Sequence, residues 1–194
     1  MTDMTGDELR PSAREQMQNA LDHATNVVNR IPEDAWNRPT PCADWSVRDV
    51  LNHLTAAHLW AARLLGGETL EQISDSYNGD VLGEDPIAAW DTAQVKSREA
   101  WAAAGNAAPL ELSFGPTTVD MYAEQMLLDL TVHAWDLARG AKIDEGTLVA
   151  DTVMHVLNYA HEHDIAGKTP FGVQVRTDSD NPQDQLVALL GRRP

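Results

Sequence analysis

Apolar residues recur every three to four positions in several long runs, and clusters of glycine and proline separate those runs. That period is the helical one, because residues at i, i+3, i+4 and i+7 fall on one face of an α-helix. The clearest run follows Ser46. Val47, Val50, Leu51, Leu54, Ala57, Ala61, Leu64 and Leu65 form one apolar stripe, and Gly66-Gly67 closes it. Ser46 is the expected N-cap, with Asp49 three residues on completing a box of reciprocal hydrogen bonds.

The same reading predicts a first helix over residues 12–30, with Met17, Leu21, Ala24 and Val28 on its inner face. A third helix is predicted over 86–104, carrying Ile87, Trp90, Ala93, Val95 and Trp101. The fourth runs over 119–139 and stops at Gly140. A fifth, over 147–163, has Leu148, Val153, Val156, Leu157 and Ala160 on one face. Between the first two helices, Ile31-Pro32 and Arg38-Pro39-Thr40-Pro41 mark an extended connection, since the residue before a proline avoids helical angles. Residues 110–115 and Phe171–Val175 alternate like short strands, and 184–190 reads as a last short helix ending at Gly191. Four long helices closing into a bundle, with an appendage over about 168–194, is the simplest assembly. The expected fold class is therefore mainly all-α, and the expected organisation is a single domain over residues 1–194.

Composition narrows what such a bundle can do. The single cysteine, Cys42, excludes an intrachain disulfide and a multi-cysteine zinc site, so any metal must be held mostly by nitrogen and oxygen. The net charge of −16 repels phosphate backbones and argues against nucleic acid and anionic membranes as partners. No run approaches the roughly 20 apolar residues of a membrane span, and the polar, acidic start lacks the apolar region of a signal peptide. A cytoplasmic protein with a small-molecule partner is the expectation.

The chemistry concentrates in the fourth helix. Asp129 and His133 stand four apart, which places them one above the other on a helix. A carboxylate beside the apolar residues Tyr122, Met126, Leu130 and Leu137 is costly unless it is paired or metal-bound. The pair suits a cation clasp; an ordinary Asp–His hydrogen bond is the plainer alternative. A third ligand from the second helix would complete the pattern of a catalytic metal site. Both His53 and His58 border that helix's apolar stripe, and spacing leaves the choice between them open.

Other candidates carry plain alternatives beside them. Cys42 is a candidate reactive thiol, with packing in a proline-rich turn as its alternative. Arg48 is a candidate contact for an anionic substrate or thiol cofactor, against a salt bridge with Asp44 or Asp49. Trp45 and Trp135 are candidate pocket walls or packing anchors. Asp136 is a candidate for orienting a metal ligand or for a solvent contact at the helix end. His161, His163 and Asp164 form a second cluster that reads as a solvated helix end.

The run Thr40-Pro-Cys-Ala-Asp-Trp-Ser-Val-Arg-Asp-Val-Leu-Asn-His53-Leu54 resembles the opening of a bacterial family related to mycothiol-dependent maleylpyruvate isomerase. Val132-His-Ala-Trp-Asp-Leu-Ala138 resembles its second signature. Phe171-Gly-Val-Gln-Val175 and Leu189-Leu-Gly-Arg192 resemble its tail. The resemblance implies a DinB-like four-helix bundle with a divalent metal on three side chains, which by position are His53, Asp129 and His133. It thereby selects His53 over His58. It also implies a low-molecular-weight thiol such as mycothiol as nucleophile, with zinc as the first metal expected and nickel, iron or manganese as others.

Two departures stand out. The family's carboxylate ligand is a glutamate and here it is Asp129, one methylene shorter. No counterpart of the isomerase's additional C-terminal domain is expected, which withdraws the resemblance's support for maleylpyruvate itself as substrate while leaving the metal site intact. Three functions follow as expectations: a metal- and thiol-dependent isomerase or transferase, a non-catalytic metal-binding or sensor protein, and a structural homodimer in which the histidines merely pack.

Overall fold

A computed structural model describes residues 11–105, 109–112, 115–146, 150–168 and 171–194. The expected signal-free start at residues 1–10, the predicted beginning of the fifth helix at Thr147 and Leu148, and Pro170 lie outside the described residues.

Helix α1, Ala13–Val28, opens on Ser12, whose hydroxyl accepts from the Glu15 N–H while the Glu15 carboxylate accepts from the Ser12 N–H. Its inner face is Met17, Ala20, Leu21, Ala24, Val27 and Val28, all buried. After a 3₁₀ turn at Glu33–Ala35, residues 36–46 fold back as a loop. Thr40 N–H bonds to the Trp45 carbonyl at 3.0 Å and Val47 N–H to that of Arg38 at 2.9 Å. Asp44 turns the tip of this loop at φ 67°, a left-handed conformation that aspartate tolerates better than most residues.

Helix α2, Val47–Leu65, carries the expected box between Ser46 and Asp49 and ends at Gly66. Helix α3, Leu70–Ile73, was not predicted; four residues are too few for a helical period to register. Helix α4, Pro86–Ala103, is capped by the Asp85 carboxylate on the Ala88 N–H. Its buried face is Trp90, Ala93, Ser97 and Trp101. Val95, expected inside, is 46% exposed because it falls off that stripe.

Strands β1, Leu110–Leu112, and β2, Gly115–Thr117, pair antiparallel as a small hairpin. Helix α5, Val119–Ala141, runs past the predicted stop at Gly140. There glycine serves packing and not termination: a Cβ would lie 2.7 Å from Thr40 Cγ2 and 2.8 Å from Val47 Cγ2. Lys142, in the left-handed conformation, ends the helix instead. Helices α6, Ala150–Glu162, and α7, Pro182–Leu189, pack on each other, and α6 also leans on α5.

α2 lies along α4 and α1 along α5, with further contacts between α2 and α5 and between α1 and α4. These four helices enclose a core that includes Leu21, Leu51, Leu54, Trp90, Leu127, Leu130 and Leu137, each inaccessible to solvent. The molecule is mainly helical, and the expected bundle with a C-terminal appendage is what the chain forms. The strand expected at Phe171–Val175 does not form. Gly172 and Val175 donate instead to the carbonyls of Leu190 and Ala188 near the end of α7, and no neighbouring strand is engaged among the described residues. Among the described residues no helix is long and apolar enough to cross a membrane.

Candidate metal centre

α5 passes through the interior, so nearly every residue from Tyr122 to Ala141 is screened from water. Asp129 and His133 project from it one turn apart, and His53 reaches them from α2. The His53 Nε2–Asp129 Oδ2 distance is 3.0 Å, and that from His133 Nε2 to Asp129 Oδ1 is 3.5 Å. One donor atom from each of the three lies within 4.8 Å of the other two. The side chains of His53, Asp129 and His133 are 37%, 20% and 3% exposed, so the group opens to solvent on the α2 side.

Burial alone would raise the Asp129 pKa, but the imidazoles of His133 and His53 outweigh it and hold the carboxyl at about 2. Burial in turn pulls His53 down, yet its hydrogen bond to Asp129 and the carboxylate charge leave it raised above the ordinary histidine value.

The second nitrogen of His133 is equally specified. Nδ1 is 2.9 Å from Asp136 Oδ2, and an ionised carboxylate only accepts, so Nδ1 carries the proton. That leaves Nε2, turned toward Asp129 Oδ1 at 3.5 Å, as the ring atom that would face a cation shared with the carboxylate. Two imidazoles and a carboxylate converging from two helices fit a divalent metal of the zinc, nickel, iron or manganese group.

A second cluster, Cys42, His133 and Asp136, also brings ligand-type atoms within 4.8 Å. It is a poor cation site, because Arg192 already forks onto Asp136, Nε–Oδ1 3.3 Å and Nη2–Oδ2 2.9 Å. Both Asp136 oxygens are thus already engaged by a positive charge. His133 is common to both clusters, and Arg192 assigns it to the one containing His53.

Trp45, held at the base of the loop before α2, lies against both histidines. Its ring centroid is 5.1 Å from that of His53 and 5.7 Å from that of His133, nearly parallel to the latter at 23°. It walls the group. Trp135, two residues after His133, is buried, with the Arg139 guanidinium 4.9 Å above its ring.

Cys42 is half-buried, its thiol pushed up by burial and by the Asp136 charge, which keeps it in the protonated, unreactive form. Arg48 pairs with Asp80 at 2.8 Å and donates to the Gly83 carbonyl at 2.7 Å, bonding neither Asp44 nor Asp49. His58 is fully buried, its Nδ1 on Ser97 Oγ at 2.8 Å and its ring edge-on to Trp90. His161 and Asp164 are exposed, and His163 packs on Tyr159. Asp136 is inside the protein, not at a wet helix end.

Sequence reasoning did not find Arg192. It stands 56 residues from Asp136, beyond any local periodicity; only the resemblance of the Leu189–Arg192 tail pointed to that stretch.

The family described as "Mycothiol maleylpyruvate isomerase N-terminal domain" matches residues 17–138. Two uncharacterized proteins of Mycobacterium tuberculosis, from strains CDC 1551 and H37Rv, are each 26% identical to this chain over 183 residues, covering 90% of it and 94% of theirs. No solved structure matches.

Proposed function

Because the chain belongs to the mycothiol maleylpyruvate isomerase N-terminal domain family, we propose that it binds one divalent metal, zinc first among the choices, through His53, Asp129 and His133. We further propose that it works on a small electrophile with a low-molecular-weight thiol of the mycothiol kind, by isomerisation or thiol transfer. The observation that carries this reading is the convergence of three donor atoms within 4.8 Å from two helices, with one edge open to solvent.

Three protein ligands leave coordination positions for an exchangeable partner, the pattern of catalytic and not structural sites. A divalent metal bound there supplies Lewis acidity, which deprotonates a coordinated thiol or water. The chain's own residues do the rest. Asp129 remains ionised at any physiological pH, as a ligand must. Asp136 holds the His133 ring through Nδ1, with Nε2 turned toward Asp129. Trp45 covers the two imidazoles and restricts approach to the exposed side of His53. Asp129, one methylene shorter than a glutamate, would be the ligand that α5 supplies together with His133. Arg48, tied up by Asp80 and Gly83, has no part in this proposal.

A thiol partner places the reaction in the cytoplasm, where small thiols stay reduced. The −16 charge is consistent with a small molecule, and not nucleic acid, as the partner.

The test is elemental analysis of protein purified without chelator. About one equivalent of divalent metal is expected in the wild type, with most of it lost in His53→Ala and in His133→Ala. Unchanged metal in both variants would refute the ligand set. Metal-dependent consumption of a small thiol across a panel of electrophiles separates the enzyme from a metal-binding protein without catalysis. Full metal content with no consumption would favour the latter.

A further inference from the structure

The tail motif, Phe171-Gly-Val-Gln-Val175 with Leu189-Leu-Gly-Arg192, has no task in the chemistry above. In the fold its two halves lie against each other. Gly172 N–H donates to the Leu190 carbonyl at 3.3 Å and Val175 N–H to that of Ala188 at 2.8 Å. Gly191 sits at φ 87°, and a Cβ on it would come 2.7 Å from Gly172 Cα and 2.9 Å from Gly172 C. Backbone atoms cannot yield that space, so only glycine allows the two segments to meet.

This turn sends Arg192 inward. Its N–H bonds to the Val187 carbonyl at 2.8 Å, its guanidinium stands 5.8 Å from the Phe171 ring centre, and Nη1 donates to the Leu190 carbonyl at 2.9 Å. The remaining nitrogens fork onto Asp136. The Arg192 and Asp136 side chains are 5% and 0% exposed.

A pair taken this far out of water gains little net stability, since desolvating both charges offsets their attraction. What the fork does achieve is to fix the Asp136 carboxylate in one orientation, with Oδ2 on His133 Nδ1. Planar, bidentate geometry is what arginine offers and lysine does not.

We propose that Arg192 is a positioning residue of the metal centre: through Asp136 it holds His133 as the Nδ1–H tautomer with Nε2 turned to Asp129. The segment 171–175 and the end of α7 are thereby part of the centre, although the family match ends at residue 138. The consequence for metal affinity rests on the metal-binding reading above. The tautomer does not.

Two measurements on the full chain test this. The first is the two-bond ¹H–¹⁵N correlation of the His133 ring in metal-free protein at pH 8.5. The second is zinc affinity by competition with a chelator. Wild type, Arg192→Met, Arg192→Lys, Gly191→Ala and, as control, His133→Ala are compared, with far-UV circular dichroism as the check on folding.

Wild type is expected to show the Nδ1–H pattern. Arg192→Met and Gly191→Ala, the latter leaving every ionisable group in place, are expected to mix the tautomers and weaken zinc binding about ten- to hundredfold, the usual cost of losing an outer partner of a ligand. Arg192→Lys is expected to fall between them and wild type. An unchanged tautomer with affinity within twofold of wild type would overturn the proposal. If Arg192→Met or Gly191→Ala fails to fold, Arg192→Lys decides alone, and equality with wild type overturns the idea. If wild type and His133→Ala both bind no zinc, the metal reading fails, while the tautomer comparison still decides the role of Arg192.

Discussion

His53 and His58 sit five positions apart on α2 and meet opposite conditions. His53 stands beside a carboxylate at the edge of solvent, and His58 is sealed in the core with Ser97 on Nδ1 and no hydrogen-bond partner on Nε2. Burial pushes the His58 pKa down to about 4. The sign of its contribution follows. Unfolded, the ring takes a proton near pH 6.5; folded, it resists until about pH 4, so the unfolded chain binds the proton first. The stability it provides is full above about pH 6.5 and is lost as pH falls to about 4. Asp129, held at about 2, adds a loss of the same sign below about pH 4. Urea unfolding of metal-free protein at pH 7, 5.5 and 4 should show the decline. His58→Gln, which can keep the Ser97 bond, should flatten it between pH 6.5 and 4, where the difference is worth about 3 kcal/mol at about 1.4 kcal/mol per pKa unit. Parallel pH profiles for the two proteins would contradict this account.

Among the elements, α5 departs most instructively from a reading by propensity. Glycine inside a helix costs about 1 kcal/mol relative to alanine, so Gly140→Ala ought to stabilise an isolated helix. In the bundle the added methyl would meet two β-branched side chains, Thr40 and Val47, whose rotamers are stiff, with the Pro39 carbonyl 3.2 Å away. Overpacking of this kind costs about 1–3 kcal/mol. The substitution should therefore lower the urea midpoint, and an increase would show that the 36–46 loop moves aside freely. The loop is what is at stake, since it carries Trp45 against the histidines. The same contact explains why Gly140 misled as a stop signal, whereas Gly66 after α2 did not. Glycine marks either a chain reversal or a close approach, and local pattern does not distinguish them. α3 and Val95 show the complementary limit, one too short for a period and the other apolar by type but off the buried stripe.

On the scale of the molecule, the three candidate ligands tie α2 to α5, two helices separated in sequence by α3, α4 and the hairpin. A metal at that junction binds the folded state and not the unfolded one, so it stabilises by mass action, about 2.7 kcal/mol at one hundred times its dissociation constant. For a chain of this length that corresponds to a rise of roughly 5–10 °C in the unfolding midpoint. Zinc or nickel should produce it, EDTA should reverse it, and His133→Ala should abolish it. A midpoint indifferent to metal in the wild type would count against the centre itself.

Much of this is legible in the sequence alone. Periodicity located the four long helices, Ser46 announced the cap of α2, and Asp129 with His133 stood out as a polar pair one turn apart in an apolar run. Those features are local: they depend on residues within one or two turns, and backbone geometry converts spacing directly into a shared face. Which histidine of α2 completes the group was not local. Spacing left His53 and His58 open, family resemblance pointed to His53, and packing then put His53 on Asp129 and His58 on Ser97. The Arg192 fork, the Trp45 wall and the true role of Gly140 lay wholly outside the reach of pattern. Each joins positions tens of residues apart, and contacts at that range are set by how helices cross and where loops return, which exists only once the chain has folded.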